Sequence, residues 1–357
     1  MRTSDLDTPA LVIDLDVMER NLARVAAYAR EHGLRLRPHT KTHKIPALGR
    51  RQLDLGAVGL TVAKTTEAEV MLQAAPPDLL IAYPVWGRAK LERLREAARR
   101  TRLSVAVDSI EVARALSGLG IELGVLVEVD FGLGRTGVAP EAAPALIQEL
   151  VALPHLHWDG INFYPGHIKG LAGEDEARLA KLRRDLNDLL TTLTALRLVP
   201  EVVSGGSTPL LFHSHTIEGM NEIRPGTYIF NDLNTAAMGA CALEDCAASI
   251  LTTVVSRRAG HMIIDGGSKT FSSDRLATGG PGFGLIPELP GAVFHKMNEE
   301  HGYVDISQCA KAPAIGERVR VVPNHVCVAV NLHERIYGAR RGEVEEIWTV
   351  AGRGKLQ

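Results

Sequence analysis

The chain has 357 residues, of which 45% are hydrophobic and 23% are charged, and this length suits one large or two medium globular domains. A net charge of −2 gives no electrostatic reason to expect a nucleic acid or an anionic membrane as a partner. The four cysteines are scattered, and no signal-like or membrane-spanning apolar run is found, so we expect a cytoplasmic protein without a disulfide framework.

The longer, N-terminal part of the chain alternates short apolar runs with amphipathic segments. Residues 8–14 predict a buried strand, and apolar residues at helical spacing follow as far as Gly33. Such strand–helix repeats predict a parallel sheet, and about eight of them in about 230 residues predict a TIM (β/α)8 barrel. A doubly wound sheet fits less well, because no Gly-x-Gly-x-x-Gly turn follows the first strand. The other strand-like runs are 34–36, 58–62, 79–82, 103–107, 123–129, 160–164 and 201–203.

The C-terminal part of the chain has a different pattern, with strand-like runs, Gly and Pro turns and little helical periodicity. We therefore predict an α/β protein with a barrel over residues 15–238 and a mostly β domain made of residues 1–14 and 239–357. The strand-like runs of the second domain are 250–256, 262–264, 318–322, 326–331 and 345–350.

A lysine- and histidine-rich stretch, Leu-Arg-Pro-His-Thr-Lys-Thr-His-Lys at residues 36–44, lies between a strand-like run and a helix-like segment. Barrel enzymes keep their chemistry at such strand-to-helix turns. A lysine there can form a Schiff base if its amine is held neutral long enough. Taken alone, the stretch fits a solvated basic loop better than a reactive site, and the rest of the chain has to decide between them.

Two further clusters follow predicted barrel strands. Residues 128–137 end a strand with an acid and glycines that let Arg135 turn inward, although a Gly-rich turn with a solvated arginine is the alternative. Residues 162–167 carry Tyr164 and His167, and an isolated histidine such as His167 is more often structural than catalytic.

Two late turns have the composition of phosphate sites. Residues 204–209, Ser-Gly-Gly-Ser-Thr-Pro, combine exposed backbone N–H groups with two hydroxyls. Residues 222–228, Glu-Ile-Arg-Pro-Gly-Thr-Tyr, form another Gly turn in the late position where barrels often bind phosphate. A reactive lysine at an early strand and phosphate turns at late strands together indicate pyridoxal phosphate.

The predicted β domain contains a candidate metal pair, His325 and Cys327. In a strand these residues would point to the same face and could share one ion, with water or substrate completing its shell. The thiolate favours Zn²⁺ over Mg²⁺ or Mn²⁺. The alternative is a pair of inward-facing strand residues without a ligand. His301 lies in a second polar cluster that could be near the pair, and we interpret the other cysteines as packing residues.

Over nearly its whole length the chain resembles the fold-type III pyridoxal phosphate enzymes, and most of all the D-threonine aldolase and D-serine dehydratase group. This resemblance implies an alanine racemase-like barrel with a β domain and a homodimer whose active sites lie near the subunit boundary. The motifs that carry it are residues 8–14, 37–44, 129–137, 205–209, 224–228 and 323–327.

The resemblance also implies residue roles. Lys41 is the Schiff-base lysine, Arg135 and Tyr164 lie beside the cofactor ring, and Arg224 matches the arginine that racemases place at the pyridine nitrogen. His325 and Cys327 match the metal pair. A His-x-Cys pair resembles the dehydratases, since aldolases usually have aspartate, whereas residues 298–302 and 328–337 resemble aldolase-like proteins. The residues expected at the phosphate are Gly205, Gly206, Ser207, Thr208, Gly226, Thr227 and Tyr228.

We therefore expect a lyase that acts on D-3-hydroxy-α-amino acids with pyridoxal phosphate and zinc or manganese. Aldol cleavage to glycine and an aldehyde is the preferred reaction, and dehydration to a keto acid and ammonia is the alternative. An amino-acid racemase, a non-catalytic pyridoxal phosphate carrier and a metal-only barrel hydrolase are the remaining alternatives. His301 and a metal-bound water are the candidates for the general base.

Overall fold

The structure is a computed structural model that describes all residues from Met1 to Gln357. The chain forms two compact units. We call Arg24–Gly226 with Lys355–Gln357 the barrel unit, and Met1–Ala23 with Thr227–Gly354 the β unit. The domain limits proposed from the sequence, 15–238 for the barrel, stay a prediction.

The chain forms seventeen strands and ten α-helices. None of the helices is long and apolar enough to cross a membrane. The strands are β1 Ala10–Asp14, β2 Arg35–Leu36, β3 Leu60–Val62, β4 Asp78–Ile81, β5 Arg102–Val107, β6 Leu123–Glu128, β7 Leu156–Asn162, β8 Val202–Gly205, β9 Glu222–Ile223, β10 Ala248–Arg258, β11 His261–Ile264, β12 Gly284–Leu285, β13 Val293–Met297, β14 Gly302–Asp305, β15 Arg318–Pro323, β16 Arg335–Arg340 and β17 Glu343–Thr349. The helices are α1 Leu15–Glu31, α2 Pro46–Asp54, α3 Thr65–Met71, α4 Arg88–Ala98, α5 Ile110–Ser117, α6 Ala143–Leu150, α7 Glu174–Ala195, α8 Leu233–Ala237, α9 Ser268–Phe271 and α10 Val326–Leu332.

Eight parallel strands form the predicted barrel. They run in the order β2-β9-β8-β7-β6-β5-β4-β3, and a bridge between His39 and Thr61 joins the two ends of the sheet. The predicted (β/α)8 barrel is therefore confirmed. Sequence patterning missed the strand Glu222–Ile223, because two paired residues between loops give no periodic signal.

A buried ion-pair network lies inside the barrel below the lysine-rich stretch. Arg37 Nε lies 3.0 Å from Glu222 Oε2, and its Nη1 lies 2.6 Å from Asp78 Oδ1. Burial opposes the charge of this guanidinium, but the two carboxylates outweigh it and raise the pKa of Arg37. The network fixes the backbone shortly before Lys41.

The β unit is built on one mixed sheet, whose main path is β13-β14-β11-β10-β1-β16-β17, while β15 pairs with β10 and β12. The first strand, β1, pairs antiparallel with β10 and parallel with β16. This confirms that the second domain is mostly β.

One predicted strand of this unit is wrong. Residues 326–331 belong to helix α10, whose buried residues Val326, Ala329 and Val330 have the i, i+3, i+4 spacing of a helix face. The short run of apolar and β-branched residues has the composition of a strand, and its length does not distinguish the two structures.

Candidate active site

Lys41 lies at the barrel mouth, in a single 3₁₀ turn, Thr40–Thr42, that follows β2. The backbone N–H of Lys41 donates to His39 Nδ1 at 3.4 Å. The side chain of Lys41 is exposed, whereas His43 and Lys44 are buried. Lys41 is therefore the solvent-accessible lysine of the two in this stretch.

The positive charges of three residues act on the ring of His39. Burial holds the pKa of His39 well below its ordinary value, and the positive charges of Lys41, Arg224 and Arg135 lower it further. Residues from three separate predicted clusters are thus brought together around one ring. Sequence reasoning gave His39 no role of its own, although it lies two residues before Lys41 in the same motif.

The ring of Tyr164 links two of these cations. Its centroid lies 5.8 Å from Lys41 Nζ and 5.0 Å from Arg135 Cζ. The Arg135 guanidinium also lies 3.8 Å from Glu128 Oε1. The predicted convergence of the strand ends that carry Lys41, Arg135 and Tyr164 is present in the structure.

The loop that carries Arg135 is fixed by Asp130. Its carboxylate accepts backbone N–H groups of Gly132, Leu133 and Gly134 at 2.8 to 3.0 Å. Gly132 and Gly134 have positive φ values of 116° and 71°, which favour glycine. Composition alone indicated the turn, and Asp130 is the residue that shapes it.

The first phosphate-type turn contains an orphaned hydroxyl. Ser207 is buried, and its Oγ has no hydrogen-bond partner in the chain. Asn162 Oδ1, at the end of β7, is also buried without a partner. Buried polar atoms are normally paired. An orphaned hydroxyl beside Gly206, whose φ is 91°, fits a site for a phosphate group.

The second turn approaches the lysine stretch closely. A Cβ added at Gly226 would lie 2.8 Å from both His39 O and Thr42 Oγ1, so only glycine fits there. Thr227 and Tyr228 follow directly in the chain, and Tyr228 is buried. Thr208, in the first turn, is 9% exposed. These contacts place Gly226 beside the turn of Lys41.

Arg224 is held inside the barrel by neutral oxygens. Its guanidinium donates to Phe163 O at 3.1 Å and to Ser204 Oγ. Burial lowers the pKa of Arg224 to about 10, although Glu222 and Glu128 oppose the change. The side chain is therefore a fixed donor group at the strand ends.

The candidate metal pair lies in the β unit at the start of a helix. His325 is the N-cap residue of α10, and Cys327 is in its first turn. The predicted strand geometry of the pair is therefore wrong. The two side chains nevertheless meet, because a hydrogen bond joins them. An imidazole and a thiolate in contact are a donor set that suits Zn²⁺.

A carboxylate that the sequence interpretation missed, Asp232, supports the pair. Its Oδ2 lies 3.0 Å from His325 Nδ1 and accepts the backbone N–H of Val326 at 3.0 Å. Burial alone would lower the pKa of His325, but Cys327 and Asp232 outweigh it and raise the pKa to about 11. An Asp-x-x-Thr capping pattern, Asp232 to Thr235, was the available signal.

His301 lies in the β unit, in the turn between β13 and β14. Its side chain is exposed, and its backbone O accepts the N–H of Asn298 at 2.9 Å. The neighbouring acids Glu299 and Glu300 pair with Lys269 at 2.8 and 3.0 Å. The role of His301 as a base stays a prediction.

Comparisons with known proteins agree with this architecture. The family "Alanine racemase, N-terminal domain" matches residues 13–233, and the "Putative serine dehydratase domain" matches residues 247–339. The D-threonine aldolase of an Arthrobacter species is 35% identical over 98% of this chain and 93% of its own. The D-threonine aldolase of Filomicrobium marinum, a solved structure, superimposes with a TM-score of 0.92 at 34% identity over 100% of this chain and 98% of its own.

A dehydratase is also similar. The D-threo-3-hydroxyaspartate dehydratase of Delftia sp. HT23 has a TM-score of 0.88 at 32% identity, over 98% of both chains. Solved structures of a D-threo-3-hydroxyaspartate dehydratase that match this chain also include a cysteine-to-alanine variant in the metal-free form and a histidine-to-alanine variant. These matches confirm the predicted family and enzyme class. The chain belongs to the D-threonine aldolase and D-serine dehydratase family of fold-type III enzymes, and it is a pyridoxal phosphate-dependent lyase.

Proposed function

We propose that the enzyme cleaves D-3-hydroxy-α-amino acids to glycine and an aldehyde, as a D-threonine aldolase, with pyridoxal phosphate and a divalent metal ion. The observation that carries the proposal is the position of Lys41 and Arg135 at one aromatic ring, that of Tyr164, at the barrel mouth. The aldolase relatives matched over nearly the whole chain support it.

The residues at the barrel mouth fit the cofactor. Lys41 Nζ would attach it covalently, and Arg135 and Tyr164 would lie beside its ring. Arg224 is the candidate partner for the ring nitrogen. When bound, pyridoxal phosphate supplies an electron sink that stabilises negative charge at the Cα of the substrate. The phosphate would be held by Ser207, whose Oγ lacks a partner within the chain, and by Gly205, Gly206, Thr208, Gly226, Thr227 and Tyr228.

His325 and Cys327 would hold the metal ion, which we propose to be Zn²⁺ or Mn²⁺. The ion would lower the pKa of the substrate's β-hydroxyl. The metal-free form of the cysteine variant of a D-threo-3-hydroxyaspartate dehydratase supports a metal role for a cysteine in this family. Cys327 Sγ also lies 3.9 Å from Thr227 Oγ1.

The chain's own side chains would position the substrate and move its protons. Arg135 forms an ion pair with Glu128, and its positive charge would also pair with the substrate's carboxylate at the barrel mouth. His301 is the proposed base for the β-hydroxyl proton. The enzyme would work as a cytoplasmic homodimer on a small D-amino acid, without nucleic acid or membrane.

A dehydratase is the second candidate, and one observation favours it. The pair contains cysteine rather than aspartate, which is the dehydratase pattern. In that reaction Lys41 would take the proton from Cα and the β-hydroxyl would leave. A racemase has no use for a metal pair.

Product analysis distinguishes these reactions. The enzyme would be given pyridoxal phosphate and D-threonine, with and without EDTA, followed by Zn²⁺ or Mn²⁺, and L-threonine would be the control substrate. Acetaldehyde and glycine in equal amounts, lost with EDTA and restored by metal, are expected. 2-Oxobutyrate and ammonia would instead establish the dehydratase, and L-allo-threonine, formed by inversion at Cα alone, would establish a racemase.

A further inference from the structure

We propose that Asp232 is a positioning residue that fixes the tautomer and the orientation of His325 for metal binding. This inference rests on the proposed metal role of His325 and Cys327. It adds a residue that touches neither the ion nor the substrate.

The two oxygens of Asp232 have different tasks. Oδ1 accepts the backbone N–H of Thr235 at 2.9 Å and thereby caps helix α8. Oδ2 faces another segment and bonds to His325 Nδ1 and to the N–H of Val326, both at 3.0 Å. An N-cap role requires only the first of these oxygens. The second oxygen is therefore not needed for the cap of α8 and bonds instead to the ring of His325 and to the N–H of Val326.

The burial of Asp232 means that its negative charge is energetically unfavourable unless other groups compensate it. Its side chain is fully buried, and carboxylates are rarely buried unless they are paired. A serine, threonine or asparagine would cap α8 equally well without a buried charge. The carboxylate is thus explained by its interaction with His325 rather than by the helix.

The backbone around His325 is already fixed by other groups. Asn324 Nδ2 donates to Asp274 O at 3.0 Å and to Gly282 O at 3.1 Å, while Asn324 O accepts the N–H of Asn234 at 3.1 Å. The main freedom left to His325 is rotation of its ring, and the bond from Nδ1 to Asp232 removes it.

The bond also determines which nitrogen can bind a metal. A carboxylate that accepts the proton of Nδ1 leaves the lone pair on Nε2. Carboxylates in this position orient histidine ligands and increase their basicity, and their loss typically costs about 10- to 100-fold in metal affinity. We expect a loss of that size when Asp232 is replaced.

The test compares Asp232→Asn and Asp232→Ser with the control Thr235→Val. Asparagine keeps the shape of the side chain, and serine keeps the N-cap but does not reach His325, so a folding failure of one variant still leaves the other. Each holoenzyme is stripped of metal and titrated with Zn²⁺ against a competing chelator. Melting temperatures are measured alongside.

The Asp232 variants should bind Zn²⁺ about 10- to 100-fold more weakly, while Thr235→Val lowers the melting temperature and leaves Zn²⁺ affinity within about 3-fold of the parent. Parent-like affinity in the Asp232 variants, or an equal loss in Thr235→Val, would overturn the inference. His325→Ala distinguishes a failure of the proposed metal pair from a failure of the proposed role of Asp232. If it binds Zn²⁺ as the parent does, the proposed metal pair itself is wrong.

Discussion

Lys44 Nζ lies 3.7 Å from Glu67 Oε1, and both side chains are buried. The two lysines of the motif, Lys41 and Lys44, therefore have different tasks. The buried pair joins the turn after β2 to helix α3, and Glu67 Oε2 also accepts the backbone N–H of Ala63 at 2.8 Å. Lys44 has a structural partner, and the exposed Lys41 is the lysine that we propose for chemistry.

Glu67→Gln should destabilise the protein by about 3 kcal/mol, because it leaves a buried lysine without its counter-charge. Glu69→Gln, on the same helix, is the control. Glu69 is exposed, and its ion pair with Arg93 at 3.5 Å should contribute less than about 1 kcal/mol. The free energies of unfolding from urea titrations measure both effects. Equal losses in the two variants would contradict the structural role of the buried pair.

His43 should make the protein sensitive to acid. Burial lowers the pKa of His43 to about 4 in the folded protein, whereas the unfolded chain takes up the proton near its ordinary pKa of about 6.5. The unfolded state binds more protons between these values, so stability is lost as the pH falls from about 6.5 to about 4, by up to about 3 kcal/mol.

The variant His43→Gln tests this pH dependence. Its free energy of unfolding should fall less between pH 7 and pH 5 than that of the parent protein. The control is His155→Gln, since His155 is an exposed histidine whose ring nitrogen lies 2.9 Å from Glu122 Oε1. A pH profile of His43→Gln parallel to that of the parent would show that His43 is not the group responsible.

Gly226→Ala should impair cofactor binding. The added methyl group would lie 2.8 Å from His39 O and from Thr42 Oγ1, on both sides of Lys41, and must displace the turn. We expect a loss of about 10-fold or more in pyridoxal phosphate affinity, measured by absorbance titration. In the control, Gly118→Ala, the nearest atom to the new Cβ lies 3.4 Å away, and affinity should be unchanged. Unchanged pyridoxal phosphate affinity in Gly226→Ala would show that this turn is not part of the cofactor site.

Ser207→Ala should have opposite effects on the apo and holo forms. The apoprotein should be as stable as the parent or slightly more stable, because the buried hydroxyl has no partner within the chain. Pyridoxal phosphate affinity should fall about 10- to 100-fold, as expected for the loss of one hydrogen bond to a charged group.

Ser117→Ala is the matched control for Ser207. Its hydroxyl donates to Pro154 O at 2.8 Å, so its removal should cost about 1 kcal/mol of apoprotein stability without affecting cofactor affinity. The same loss of apoprotein stability in Ser207→Ala, with unaltered cofactor affinity, would mean that the Ser207 hydroxyl serves the fold.

Strand-end chemistry was predictable from the sequence because a barrel places the carboxyl ends of its parallel strands around one mouth. That rule brings Lys41, Arg135 and Tyr164 together without knowledge of side-chain contacts. The rule says nothing about which neighbours are buried. The neutral ring of His39 and the pairing of Lys44 depend on burial, which a one-dimensional pattern does not contain.

Short elements and long-range contacts account for three of the errors, whereas the strands β13, β14 and β16 were missed although they have four to six residues. Strand β9 has two residues, and helix α10 begins within an apolar run that has strand composition. Asp232 is 93 residues from His325 in the chain, so no local motif links them. Their hydrogen bond depends on how the β unit brings the two segments together.

The site of cofactor attachment tests the central claim most directly. The holoenzyme would be reduced with borohydride and digested, and the modified peptide would be sequenced by mass spectrometry. We expect the pyridoxyl group on Lys41 alone, and no modified peptide from Lys41→Ala. A pyridoxyl group on Lys44 or on any other lysine, or the same modified peptide from Lys41→Ala, would contradict the account.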